Sequence, residues 1–287
     1  MFRIVRKRLL APNIYGMDIE ARRVAQSAKP GQFVIIRIDD KGERVPLTIA
    51  DYDPEAGTVL IVVQTIGAST SKLCALEEGD SLLDFVGPLG QPTDLEELSD
   101  EELAQKRIVF VGGGVGAAPI YPQVKYLHDR GFPCDVIIGA KTKDIEIMRL
   151  ELEAVAKNYY QATDDGSDGF HGLVTDCLRD LVQHQGVEYN HAVTIGPMIM
   201  MKFVAQLTKE LNIPTVASLN TLMVDGTGMC GACRVTVGGK TRFTCVEGPE
   251  FDAHQIDFNE AMRRQGMYKD DERVRLEQFY NSCKLGR

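Results

Sequence analysis

Over residues 1 to about 100, apolar positions come in short alternating or continuous runs at 3–10, 33–38, 48–51, 59–65 and 81–86. Turn-forming clusters separate them: Lys29-Pro-Gly, Asp39-Asp-Lys-Gly, Asp53-Pro-Glu-Ala-Gly and Gly87-Pro-Leu-Gly-Gln-Pro. Short strands at even spacing predict a small antiparallel barrel, interrupted by one helical stretch at 69–76 after Gly67. An acidic stretch at 94–106 then reads as a helix or linker. Beyond it the pattern changes. The buried run Arg107-Ile-Val-Phe-Val enters Gly112-Gly-Gly-Val-Gly116-Ala-Ala-Pro119, and a helix at 120–130 and a strand at 133–138 follow. Helices at 145–155, 173–184 and 198–211 and a short strand at 192–195 complete this region. Strand alternating with helix predicts a doubly wound parallel sheet. A glycine turn between its first strand and helix suits a pyrophosphate, because helix N-terminal amides point at the ligand.

Composition narrows the class. The chain has 287 residues, 44% hydrophobic and 25% charged, as expected for an ordinary globular protein of two domains. A net charge of −9 argues against nucleic-acid binding. No apolar run reaches the ~18 residues of a membrane span, and no signal peptide is read, so a cytoplasmic location is expected. Cys74, Cys134, Cys177 and Cys283 are scattered and read as plain thiols. The methionines at 198, 200, 201 and 223 could line a cofactor, although Met201 fits core packing better. The five histidines show no ligand spacing.

The remaining three cysteines carry chemistry. Asp225-Gly-Thr-Gly-Met-Cys230-Gly-Ala-Cys233, closed by Cys245, has the spacing D-x4-C-x2-C-x11-C. Gly238-Gly239 predicts a two-residue hairpin turn that sets Val237 opposite Lys240, Arg234 opposite Phe243 and Cys233 opposite Thr244. Cys245 therefore folds back beside Cys233. With Asp225 in the first place, this is the plant-type spacing for a 2Fe–2S cluster. Half a zinc site completed by Cys245 and Asp225, or unliganded thiols, are the competing readings.

Barrel, nucleotide domain and cluster loop, in that order, resemble the ferredoxin–NADP reductase superfamily. The nearest branch is the one that holds the dihydroorotate dehydrogenase electron-transfer subunits and the small subunits of NADH-dependent reduced ferredoxin:NADP oxidoreductases. The motif order covers residues 1–258. The resemblance implies an FAD-binding antiparallel β-barrel at 1–100 and an NAD(P)-binding α/β domain at 106–218. It also implies a 2Fe–2S segment at 219–258; beyond it, residues 259–287 are charged and helix-prone in composition and read as a helical tail, either a surface helix or a partner-docking element. It assigns FAD to Val45, Pro46, Leu47 and Thr48, with Arg44 upstream, to the strand Val62, Val63 and Gln64, and to Gly67, Ser69 and Thr70 of a G-x-x-S/T-x-x-L element. Thr48 falls at the flavin edge, and no residue is cast as an acid or base.

The nicotinamide nucleotide falls to Gly113, Gly114, Val115, Gly116, Ala117 and Pro119, then to Asp164, Asp165 and Gly166, and to Gly196, Pro197 and Met198. Lys141 and Lys143 leave NADP(H) open beside NAD(H), and the resemblance implies NADH. Cluster ligands by resemblance are Asp225, Cys230, Cys233 and Cys245. Asp225 favours the ferredoxin:NADP branch, since the dihydroorotate dehydrogenase subunits carry four cysteines. That branch implies a larger partner subunit with another flavin and 4Fe–4S clusters, ferredoxin reached through the complex, and electron bifurcation. The alternatives are a dihydroorotate dehydrogenase subunit or a zinc or cluster sensor on the same fold.

Overall fold

The computed structural model describes the backbone of residues 1–285 and side chains through Asn281. Seven strands form the first sheet: β1 (Phe2–Ala11), β2 (Ile14–Glu20), β3 (Phe33–Arg37), β4 (Val45–Asp53), β5 (Thr58–Gln64), β6 (Ser81–Leu82) and β7 (Asp84–Leu89). Their order is β6-β1-β2-β5-β4-β3-β7 and every neighbouring pair is antiparallel. The sheet curls into the near-closed barrel that the spacing predicts. β2 is an additional strand. It lies in register along β5, from Ile14 opposite Gln64 to Glu20 opposite Thr58.

β5 shows why its run is apolar throughout. Side chains alternate across a strand. Val59, Ile61 and Val63 point into the barrel core, whereas Leu60 and Val62 join the cluster that packs on the second sheet. Both faces are buried, so polar alternation is lost.

The second sheet holds β8 (Ile108–Gly113), β9 (Asp135–Ala140), β10 (Asn158–Thr163), β11 (Phe170–His171), β12 (His191–Ile195) and β13 (Thr215–Ser218). A separate hairpin, β14 (Arg234–Val237) and β15 (Lys240–Phe243), precedes β16 (Glu250–Asp252). The order is β11-β10-β9-β8-β12-β13-β16, parallel except for β16, which runs antiparallel beside β13. On β8, Ile108 and Phe110 face the helix Ala117–Asp129 and the barrel, whereas Val109 and Val111 face the helices Val174–Gln183 and Met198–Glu210. One apolar cluster runs from Ala50, Leu60 and Val62 of the barrel to Ile120 and Val124 of the first of these helices. Lys125 caps that contact with an ion pair to Asp51 at 2.9 Å.

Several elements differ from the sequence expectation. The helix expected at 145–155 is confined to Arg149–Val155, and β10, β11, β13 and β16 are extra strands. β11, β13 and β16 are short, and the stabilising ladders of all four lie with partners outside their own local stretch, which local pattern does not report. The hairpin register is as predicted, with Val237 opposite Lys240 and Arg234 opposite Phe243. Cys74, Cys134 and Cys177 are buried free thiols, and Cys283 lies outside the described side chains. The tail divides into the helices Phe258–Gln265 and Lys269–Leu285. The first is not a free surface element, because Phe258 and Ala261 are buried in a core cluster with Met201 and Val235. The second packs against the helix Ala68–Cys74. Among the described residues, no helix is long and apolar enough to cross a membrane.

Candidate functional site

Strand order reverses at β8, which is followed by β9 on one side and flanked by β12 on the other. Ligands of open α/β sheets bind outside the carboxyl ends of strands at such a switch point. A cavity of about 790 Å³ lies there, between the sheet and the barrel face formed by β4 and β5. Its size suits a ligand of cofactor dimensions.

Sixteen of the residues expected to bind cofactors line it. The barrel supplies Val45, Pro46, Leu47, Thr48, Val62, Val63, Gln64 and Thr70. The sheet supplies Gly113, Gly114, Val115, Gly116, Pro119, Gly196, Pro197 and Met198. Glycine is required by the backbone here. Gly114 has φ +56°, and a Cβ on Gly116 would stand 2.3 Å from the Ile195 carbonyl oxygen. The turn after β8 thus closes directly on the end of β12, and the helix Ala117–Asp129 starts on it without a linker.

Seven expected residues lie elsewhere. Ala117 is buried beneath the turn. Asp164, Asp165 and Gly166 follow β10, two strands from β8, and Asp165 Oδ1 accepts from the Ser167 amide at 3.0 Å as a turn cap. Gly67 caps the helix Ala68–Cys74, and the Thr70 hydroxyl accepts from the Ile66 and Gly67 amides, both at 3.0 Å. The Ser69 hydroxyl donates to the Glu43 carboxylate. Arg44 turns away from the cavity, with Nε donating to the Val224 carbonyl at 2.9 Å and Nη2 to the Asp225 carbonyl at 3.3 Å.

Other lining residues carry no local signal. Ser218 ends β13 and Leu219, Asn220 and Thr221 follow it, and Phe33 and Met223 join the cavity to the cluster loop. Met262, Gln265 and Lys269 come from the tail, and Gln265 Nε2 donates to the Asn220 carbonyl at 3.1 Å. Lys269 is the one charged residue on the lining among the described residues. Met198 and Met223 line the cavity, whereas Met201 is fully buried core.

The four candidate donors of the loop form two pairs. Cys233 and Cys245 are buried with their sulfurs 3.3 Å apart. They pack with Phe33, Ile35 and Met223 in one apolar cluster, so two cavity residues touch the thiol environment directly. Burial, and then the neighbouring Cys233 thiol, push the Cys245 thiol up. Cys230 is exposed, and its amide donates to Asp225 Oδ2 at 3.0 Å. Asp225 Oδ1 accepts from the Thr227 amide at 2.8 Å and from the Thr227 hydroxyl. Those bonds, the Thr227 side chain first and then Cys230, hold the Asp225 carboxyl well below the usual carboxylate range. Two pairs of anionic donors fit a two-iron cluster, in which each iron takes two protein ligands. A single zinc would need four donors around one ion. Gly226 has φ +80°, and a Cβ there would meet Ile35 Cδ1 at 2.6 Å, so the loop is seated on β3 itself.

Beside the cavity residue Pro249, Glu250 is half-buried with its Oε2 shielded from solvent, and its Oε1 accepts from Gln123 Nε2 at 2.7 Å. Burial, reinforced by Asp94, pushes its carboxyl up to about 7.

A flavin-reductase-type barrel joined to a nucleotide sheet and a cysteine loop defines the ferredoxin–NADP reductase class. Known proteins place the chain within it. The iron–sulfur cluster binding domain of dihydroorotate dehydrogenase B matches residues 220–257. A dihydroorotate dehydrogenase B (NAD(+)) electron transfer subunit homolog of Thermotoga maritima is 42% identical, over 98% of this chain and 96% of its own. An uncharacterised Clostridium beijerinckii protein encoded in an adh 3′ region is 60% identical, over 95% of this chain and 92% of its own. A chain from the structure of NADH-dependent reduced ferredoxin-NADP oxidoreductase, described for flavin-based electron bifurcation, is 40% identical. It covers 98% of both chains with a TM-score of 0.89. The chain belongs to the family of dihydroorotate dehydrogenase B electron-transfer subunits and their homologues, and is an oxidoreductase subunit.

Proposed function

We propose that this chain is the electron-transfer subunit of an electron-bifurcating ferredoxin:NADP oxidoreductase, with FAD, an iron–sulfur cluster and NAD(H) as its cofactors. One observation carries the choice within the family: a carboxylate, Asp225, occupies the first donor position of the loop and stands beside Cys230. When bound, the flavin supplies hydride exchange with a nicotinamide and single-electron exchange with a 2Fe–2S cluster. The residues Val45–Thr48, Val62–Gln64 and Thr70 offer the flavin a largely apolar wall, with Thr48 and Gln64 as polar groups at its edge. Gly113–Gly116 and Gly196–Met198 form the opposite wall and would hold a nicotinamide nucleotide against the flavin. Asp225, Cys230, Cys233 and Cys245 hold the cluster, and Phe33 and Met223 fill the gap between it and the cavity. The chain divides by role into the segments 1–100, 106–218, 219–258 and 259–287. The partner is a larger subunit with its own flavin and 4Fe–4S clusters, which reaches ferredoxin in the cytoplasm.

The match of residues 220–257 to the dihydroorotate dehydrogenase B domain favours a second reading, an orotate-forming complex. Copurification of the chain with its partner, followed by flavin, iron and sulfide analysis and two assays, separates them. NADPH formation that requires both NADH and reduced ferredoxin supports the proposal. Dihydroorotate oxidation coupled to NAD reduction, without ferredoxin dependence, replaces it. A colourless zinc protein overturns both.

A further inference from the structure

We infer that Arg44 is a positioning residue of the iron–sulfur loop and not a ligand of the flavin phosphate. The inference rests on the proposed ligand role of Asp225. Arg44 immediately precedes β4, whose first residues Val45 to Thr48 line the cavity. Its guanidinium reaches across the surface to a segment 180 residues away, donating from Nε to the Val224 carbonyl at 2.9 Å. Nη2 donates to the Asp225 carbonyl at 3.3 Å. The planar fork of arginine suits two adjacent acceptors, and a lysine has no equivalent geometry.

The clamp acts where the loop has little else to hold its polar side. Below it, Met223 packs with Phe33 and Ile35, and Gly226 sits against Ile35 and Leu89. Above it, Val224, Thr227, Met229 and Cys230 are exposed. Asp225 lies at the boundary, its backbone oxygen bound to Arg44 and its carboxylate bound to Thr227 and to the Cys230 amide. Arg44 therefore fixes the Asp225 backbone against the strand that borders the flavin cavity, while Thr227 fixes its side chain. The fixed positive charge beside this ligand also favours the more negative, reduced form of the cluster. The same strand end thus ties the position of the proposed electron acceptor to the wall of the cavity.

The purified protein with its cofactors tests this through Arg44→Gln and Arg44→Lys, read by flavin content, EPR of the reduced cluster and its midpoint potential. The expected result is wild-type flavin content in both variants. Arg44→Gln shows an altered EPR line shape and a lower potential. Arg44→Lys shows the altered line shape with a smaller loss of potential, because charge is kept and the fork is lost. Flavin loss from Arg44→Gln with an unchanged cluster spectrum overturns the inference, and so does the absence of any change. If Arg44→Gln fails to fold, Arg44→Lys decides by the same two readouts. Asp225→Ala keeps the inference distinct from the reading beneath it. A wild-type cluster spectrum in Asp225→Ala removes the ligand role itself, whereas a changed one beside an unchanged Arg44→Gln spectrum removes only Arg44.

Discussion

The cluster loop and the cofactor cavity are neighbours built in opposite ways. The loop draws its four donors from Asp225 to Cys245 and closes through one hairpin. The cavity draws its lining from Phe33 to Lys269, through both sheets and the tail, and carries one charged side chain among the described residues. A metal cluster needs a few strong donors at fixed spacing. A large, mostly aromatic cofactor needs extended apolar walls and close backbone approach, and many residue types supply those. The loop should therefore fail at single side chains, whereas the cavity should fail where backbone geometry is disturbed.

The largest effect is expected in the loop. Cys245→Ser should abolish the cluster's absorption and EPR signal while flavin content stays near wild type, which a visible spectrum and iron analysis will check. A normal cluster in this variant would break the comparison, since Cys245 would then be ordinary core. On the cavity side, Gly116→Val should cost about 3 kcal/mol or more, because its side chain would overlap the Ile195 carbonyl and the turn cannot open cheaply. Urea midpoints measure that loss, and nicotinamide-dependent dye reduction should fall with it.

Glu250 sharpens the contrast, because it is a titratable group whose carboxylate is shielded from solvent beside the cavity. Its carboxyl is raised from its ordinary 4.5 to about 7. The folded state therefore holds the proton more tightly than the unfolded state. The resulting stability is fully present below pH ~4.5 and is lost as pH rises through about 7, to the extent of about 3 kcal/mol. Glu250→Gln should flatten this dependence, as compared by denaturation at pH 5 and pH 8; an equal slope in both proteins would show that Glu250 ionises freely. Lys269→Met should weaken dinucleotide retention by about tenfold, or ~1.4 kcal/mol. Equilibrium dialysis of the cofactor reads this, and unchanged retention would leave the tail as packing alone. The smallest effect concerns tuning. A carboxylate is a harder donor than a thiolate, so Asp225→Cys should keep the cluster and lower its midpoint potential. A potential equal to or above wild type would remove that account of Asp225.

Wherever the information is local, the sequence carried it. The D-x4-C-x2-C-x11-C spacing, the Gly238-Gly239 turn and the strand-to-glycine passage at Gly112 to Gly116 were legible, because each depends on residues within about one element of one another. The same local motif at Gly67 to Thr70 was legible as a helix start. Only the fold shows that the Thr70 hydroxyl occupies the Ile66 and Gly67 amides. Asp164 to Gly166 were placed near the nucleotide by family resemblance alone, and only sheet order shows that they follow β10, two strands from β8.

Arg44 marks the divide most clearly. From its place beside Val45 and Pro46 it reads as part of a flavin motif, yet its partners lie 180 residues downstream. No local pattern encodes a pair so far apart. By itself, the sequence determined the spacing of the candidate donors, the glycine turn and the alternation of strand with helix, since backbone sterics and side-chain periodicity act over a few residues. Tertiary structure decided what faces the cavity, that the tail brings Lys269 to its lining, that the Glu250 carboxylate is shielded from solvent, and that Arg44 bonds the Val224 and Asp225 carbonyls. Those outcomes depend on which distant surfaces meet when two sheets share one apolar core, a global consequence of packing.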